Sequence, residues 1–347
     1  MTCMASVGML LPAMLTKIVR GSVFTLGLVM GLAVAAAAQG TIRPSDDQDI
    51  TEVRLQVGLL DLERIQSAEQ SFTANLFYAA RWRDEGLRHE GPGPKTLSLD
   101  EIWHPRLQLV NQQRLVKTFG DVATVTPDGQ VTVAQRVWGQ FSQPLQLREF
   151  PFDVQTLHVE IVGSGHDEGT VTFLPDPDHP SVVSDALSIT DWEIGGWSAR
   201  PSEFLIAGIT RSVPSFRLEL TLARIHGYHL VQVILPLLMI IFMSWIVFWI
   251  NPKNTNPRIS VSVTAMLTLI AYRFAVGRSL PPIGYLTRLD WFILGASLLV
   301  FAALVEVIVT VFLCESGREK TALRINRWMR VIGPVALAGI VVEALVL

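Results

Sequence analysis

The chain has 347 residues, 50% of them hydrophobic and only 17% charged, with a net charge of −3. A mean hydropathy of +0.38 is too high for a wholly soluble chain and too low for one lying entirely in a membrane, so a soluble part and a membrane part are expected. No basic run points to nucleic acid. Of the two cysteines, Cys3 falls in an expected leader and Cys314 at the end of an apolar span, so no disulfide is expected in a mature chain.

Residues 1–38 read as a secretory signal peptide. Lys17 and Arg20 form a basic region, Val23 to Val34 an apolar core, and Ala36-Ala37-Ala38 a small-residue cleavage site. Strand-like runs follow. Val53–Leu62 comes first, and Phe72–Trp82 alternates with period 2 for part of its length. DVATVT and QVTVAQRV flank Pro127-Asp128-Gly129, a hairpin signal, and LQLREF, VQTLHVEIVG, TVTFL and SFRLELTLAR complete the set. Helical periodicity is scarce, so residues 40–225 are expected to form an all-β sandwich domain. Residues 174–190, rich in Pro and Asp, read as a loop. Phe150-Pro151-Phe152-Asp153 joins two of these runs with large apolar groups where a surface loop is normally polar. Two readings stay open there: a corner of the core, or a loop tip that docks on another domain.

Residues 226–347 read as an all-α transmembrane domain of four helices, at about 229–250, 258–277, 290–313 and 328–347. Pro236 interrupts the first and Glu306 lies inside the third. Lys253 and Arg258 near the first connector, and Arg318, Lys320, Arg324 and Arg327 in the third, place those connectors in the cytoplasm and the β-domain outside. The second span is the least apolar. On a helix, Ser260, Thr264, Leu267, Ala271 and Phe274 recur at spacings of 4, 3, 4 and 3 and share one face. A ring of such helices has a pore with a hydroxylated inner half and a dewettable constriction at Leu267. The other reading is a buried bundle helix with back-bonded hydroxyls. The seven histidines lack ligand spacing and no nucleophile or phosphate-loop motif occurs, so neither an enzyme nor a metal or other cofactor is expected.

These motifs together resemble a prokaryotic pentameric ligand-gated ion channel of the Cys-loop receptor superfamily. The resemblance rests on Phe150-Pro151-Phe152-Asp153, Trp82-Arg83-Asp84 with Leu87, Trp103-His104-Pro105 with Asn111, and Trp192 to Gly196. It continues with Arg224 before Gly227-Tyr228, Pro236, and Leu280-Pro281-Pro282 through Tyr285-Leu286-Thr287 and Asp290. Gln143 and Leu157 stand where animal members carry the bridging cysteines, so the loop is present without its cystine.

The resemblance implies a homopentamer in a lipid bilayer, opened by a small-molecule agonist or a proton, with permeant ions as its cargo. The Ser260–Phe274 stripe falls where the family lines its pore. Phe150, Pro151, Phe152, Asp153, Arg224, Pro281, Pro282 and Tyr285 fall in its coupling layer. Of the family's aromatic ligand cage, Phe77 fits one wall, whereas Val110, Gly165 and Val213 stand at three others; Arg81, His104 and Glu203 are nearby ligand candidates. No acidic residue lies between Glu219 and Asp290, and Arg258 stands at the cytoplasmic mouth, which tempers a slight lean to cations. The alternative from another class is a membrane-anchored ligand-binding receptor that conducts nothing.

Overall fold

The computed structural model describes residues 43–44, 50–164, 170–205, 212–277 and 283–345. The expected signal peptide, Gly165, Pro281 and Pro282 lie outside the described residues.

Two sheets face each other in the first part of the chain. The larger runs β10 (Val182–Val183), β1 (Thr51–Gln66), β2 (Ser71–Arg83), β7 (Gln130–Ser142), β6 (Val122–Val125), β3 (Lys95–Ser98). β5 (Gln112–Lys117) pairs with β7, and β9 (Val171–Pro175) pairs with β1 in parallel. The smaller sheet runs β11 (Trp192–Leu205), β12 (Ser212–Arg224), β8 (Val154–Gly163), β4 (Leu107–Leu109). Period-2 alternation turns Phe216, Leu218, Leu220 and Leu222 of β12, and Leu157, Val159 and Ile161 of β8, onto the core. Phe72, Leu76 and Trp82 of β2 meet them from the facing sheet. The β6–β7 hairpin turns at Gly129, whose φ is +84°. A Cβ there would lie 2.5 Å from the carbonyl oxygen of Asp84, so glycine is required.

LQLREF is not a strand. Residues 143–153 form a loop whose Leu145, Leu147 and Phe150 are buried, which explains its apolar alternation. Side chains and turn bonds satisfy its backbone in place of a ladder. Leu145 N donates to Gln70 Oε1 (2.6 Å), Gln146 N to Gln155 Oε1 (3.0 Å) and Leu147 N to Tyr285 Oη (3.0 Å). Within 174–190 the loop reading gives way only at the end of β9 and at β10.

Four helices follow: α1 (Gly227–Trp249), α2 (Thr255–Gly277), α3 (Arg288–Glu315) and α4 (Glu319–Leu345). All four are long and apolar enough to cross a membrane. α4 starts nine residues before the expected 328, because its first turns carry Glu319, Lys320, Arg324 and Arg327. Hydropathy marks the membrane part of a helix, not where helical hydrogen bonding begins. α1 carries a π-helical turn at Leu230–Ile234 just before Pro236. In α4, Pro334 leaves the carbonyl of Arg330 without its helical donor. Trp245 Nε1 of α1 donates to that oxygen at 3.2 Å. The indole can come close because Gly333 is next to it: a Cβ there would stand 3.0 Å from Trp245 Cδ1. α3 opens on a capping box, with Thr287 Oγ1 accepting from Asp290 N and Asp290 returning bonds to Thr287.

Candidate functional site

α2 divides cleanly into two faces. Ser260, Thr264, Leu267, Ala271 and Phe274 are all exposed in the subunit, Leu267 by 62% and Phe274 by 74%. Arg258, Ser262, Ala265, Leu269 and Val276 are buried against the other helices. Thr264 Oγ1 donates back to Ser260 O (2.8 Å), so the back-bonding expected of a bundle helix occurs, but on the exposed face.

Arg258 is 0% exposed. Its Nη1 donates to Thr310 Oγ1 (3.0 Å), and its Nη2 to Glu306 Oε2 (3.0 Å) and Asn326 Oδ1 (2.9 Å). This explains Glu306, an acid inside a membrane span that the sequence left without a partner. The signal was available: Arg258 precedes Leu267 by nine residues, two and a half turns at about 3.6 residues per turn, and so faces away from it.

The loop 143–153 is wired to both domains. Arg224, the last residue of β12, clasps Asp153 with Nε to Oδ1 at 2.7 Å and Nη2 to Oδ2 at 3.1 Å. Both side chains are buried. Gln155 Nε2 also donates to Asp153 Oδ2 (2.6 Å), and the guanidinium lies over the rings of Trp192 (4.1 Å) and Phe150 (4.9 Å). Phe150 packs edge-on to His229, and Phe152 against His226, at the start of α1. Pro151, joined to Phe150 by a cis peptide, is buried. Both readings of this turn therefore hold: Phe150 is a core corner and a docking contact. On the α3 side, Arg288 N donates to Arg148 O (3.0 Å), Leu289 N to Phe150 O (3.3 Å), and Arg288 pairs with Glu149. Tyr285 joins the loop through its hydroxyl, with Arg148 over its ring.

The base of the loop is closed without sulfur. Gln143 Nε2 donates to Thr156 O (2.6 Å) and its Oε1 accepts from His158 N (2.9 Å), so one amide straddles Leu157. A single side chain makes two directed bonds to the strand that a cystine would otherwise reach.

The four ligand candidates do not converge. Phe77 meets Phe119 edge-on at 6.5 Å. Arg81 is bound to Asp176 (2.6 Å), a buried carboxylate that also accepts from the N–H groups of Asp178 and His179. Burial pushes the Asp176 carboxyl up, but those donors and Arg81 outweigh it and hold it below the usual carboxylate range. His104 lines a cavity of about 210 Å³ with Tyr78, Lys117 and Asp121; burial, helped by Asp121, pushes the Tyr78 hydroxyl up to about 12. Glu203 lines a separate cavity of about 370 Å³ with Phe173, Ser202 and Ser215, where β11 and β12 pass β9.

Comparison with known proteins identifies the family. A family model described as "Neurotransmitter-gated ion-channel ligand binding domain" matches residues 38–224, and one described as "Neurotransmitter-gated ion-channel transmembrane region" matches residues 233–337. A "Proton-gated ion channel" of Gloeobacter violaceus is 27% identical over 310 residues, 87% of this chain and 85% of the relative. A "Gamma-aminobutyric acid receptor subunit beta" of Caenorhabditis elegans is 28% identical over 277 residues, 76% of this chain but 50% of the relative. The human "Gamma-aminobutyric acid receptor subunit alpha-2" is 24% identical over 287 residues, 80% of this chain and 63% of the relative. The chain belongs to the neurotransmitter-gated ion-channel family, as a multi-pass membrane protein with an extracellular β-domain and not as an enzyme.

Proposed function

We propose that five copies of this chain surround a pore lined by α2, with Leu267 as its apolar barrier and Ser260 and Thr264 lining its cytoplasmic half. The observation that carries the reading is the division of α2: five stripe residues exposed, and the opposite face buried against the subunit's own helices. What sets α2 apart from the other helices is that its bare face carries Ser260 and Thr264 beside Leu267 and Phe274, a mixture that suits water enclosed by a fivefold ring. Opening is driven from the β-domain by a small agonist or a proton that binds the open state more tightly than the closed one. The signal passes through Phe150–Asp153, Arg224 and Tyr285, which tie both sheets' ends to α1 and α3. Pro281 and Pro282 belong to the same layer by their place in the chain. The Glu203 cavity is the agonist pocket this reading favours, since Arg81 is engaged by Asp176. Cations are the favoured cargo: with Arg258 turned inward, no basic side chain of the cytoplasmic half of α2 opposes them. The test is purified protein in a lipid bilayer under an ion gradient, challenged with acid steps and a panel of small agonists. Gated current supports the reading, the reversal potential assigns the ion, and silence of correctly assembled protein under every stimulus refutes it.

A further inference from the structure

We infer that Arg258 is a positioning residue for the pore helix: it sets the rotation of the cytoplasmic end of α2 from behind, and ions at that mouth are selected by uncharged groups. The inference rests on α2 being the pore helix.

A basic residue at the inner end of a pore helix invites the idea of a charged ring. The geometry excludes Arg258 from one. It is fully buried, and its terminal nitrogens are directed at Glu306 and Thr310 of α3 and Asn326 of α4. Glu306 neutralises it at 3.0 Å. Asn326 in turn donates through Nδ2 to Phe248 O (2.8 Å), at the end of α1. One guanidinium thus links α2 directly to α3 and α4, and through Asn326 to α1. The planar, many-donor geometry suits such a junction, which a lysine ammonium does not reproduce. Lys253, the basic residue before α2, is also occupied, with Nζ 2.8 Å from Glu319 of α4.

The rotational consequence follows from helix geometry. Ser262 and Ala265 share the buried side with Arg258, so fixing Arg258 fixes which residues face away from the bundle. Those are Asn256 and Ser260 in the first turns and Thr264 above them, all exposed and none charged. A turn of α2 by one residue about its axis, roughly 100°, carries Ser260 off the lumen and brings a neighbour such as Ile259 or Val263 toward it. The buried pair resists that turn, because unpairing either partner strands a charge in an apolar interior.

The test uses a cysteine at Ser260 in the full-length channel. Its block by a charged thiol reagent and the reversal potential in an ion gradient are read in the native background and with R258A/E306A, which removes the pair without stranding a charge. Expected: S260C is modified and blocked in the native background. In the double variant the reversal potential is unchanged, modification of S260C slows several-fold, and that of V263C or I259C rises. R258A alone loses surface protein, and R258K does not restore the native accessibility pattern. A reversal potential that moves in R258A/E306A overturns the inference, since the charge then acts in the lumen. An unchanged accessibility pattern overturns it too, since Arg258 then positions nothing. If the alanine pair fails to reach the surface, R258Q/E306Q, which keeps the volume, carries the same two readouts. Failure of S260C to react in the otherwise native channel is a different result: it removes the pore reading, and this inference with it.

Discussion

Removing the carboxylate of Asp153 should damage stability and gating together, and the two effects can be separated. Asp153 is 1% exposed and Arg224 is nearly as buried, held by two charge-assisted bonds of 2.7 and 3.1 Å. Taking away one partner of such a buried pair costs about 3–5 kcal/mol, most of it from the charge left behind. Here the lower end applies to D153N. The guanidinium still lies over Trp192 and Phe150, each contact contributing about 1 kcal/mol. It also keeps its bond to Ser67 Oγ at 3.2 Å. A loss of about 3 kcal/mol lowers the melting midpoint of a domain of this size by roughly 6–12 °C. D153A should cost about 1 kcal/mol more, because it also opens a small void and frees Gln155. D153N/R224M removes the stranded charge and should recover most of the loss, so that in a double-mutant cycle the double variant costs less than either single one. The assay is thermal unfolding of the purified channel in one lipid–detergent mixture, alongside evoked current normalised to surface protein. The double variant should be stable yet poorly gated, since the clasp between β12 and the loop is gone. A native midpoint with native gating in D153A refutes the reasoning. Restored gating in D153N/R224M confines the pair to stability.

Three further outcomes are expected. L267S should open more easily or leak at rest, because a hydroxyl ring wets the constriction; unchanged currents in L267S and L267A at equal surface expression would remove Leu267 as the barrier. Q143A should lower stability by about 1–3 kcal/mol by cutting both bonds to β8, with no change under reducing agent, read by thermal unfolding; a native midpoint contradicts the staple. For Asp176 the folded carboxyl is held below its ordinary value, so its stabilisation is complete above the usual carboxylate range and lost as pH falls through the lower folded value. D176N should therefore lower the midpoint at neutral pH and flatten its decline in acid, and parallel curves for D176N and the native protein would refute this.

The sequence shows the two-part architecture because each part repeats a short local period. β2 and β12 alternate with period 2 over a buried face, and the four helices carry long apolar runs. The stripe from Ser260 to Phe274 is equally local, since residues 3 and 4 apart share a helix face wherever the helix sits. LQLREF misleads for the same reason: alternation reports which side chains are buried, not what satisfies the backbone. The distant pairings are harder to read. Arg81 and Asp176 are 95 residues apart, and Arg258 and Glu306 are 48 apart. Nothing local says that one charge answers the other. Only the half-turn offset from Leu267 could have given the direction of Arg258, and that requires deciding first which face of the helix looks inward. The carboxylate that answers Arg81 was equally out of reach, because the resemblance placed Arg81 near the ligand cage and said nothing of Asp176.

The proline in α4 has a mechanical consequence. Only 6% of that helix's apolar stretch is buried in the subunit, and Leu337, Ile340 and Val341 rest half-buried on the core. Its specific attachments are directed bonds: Arg330 O to the Trp245 indole, Asn326 to Phe248 O, Arg330 Nε to the same oxygen at 2.9 Å, and Asn326 to Arg258. A slide of one residue, about 1.5 Å along the axis, breaks all of these at once. Greasy surfaces can creep past one another; teeth cannot. α4 is therefore indexed like a detent, held in one register by bonds that a one-residue slide does not preserve.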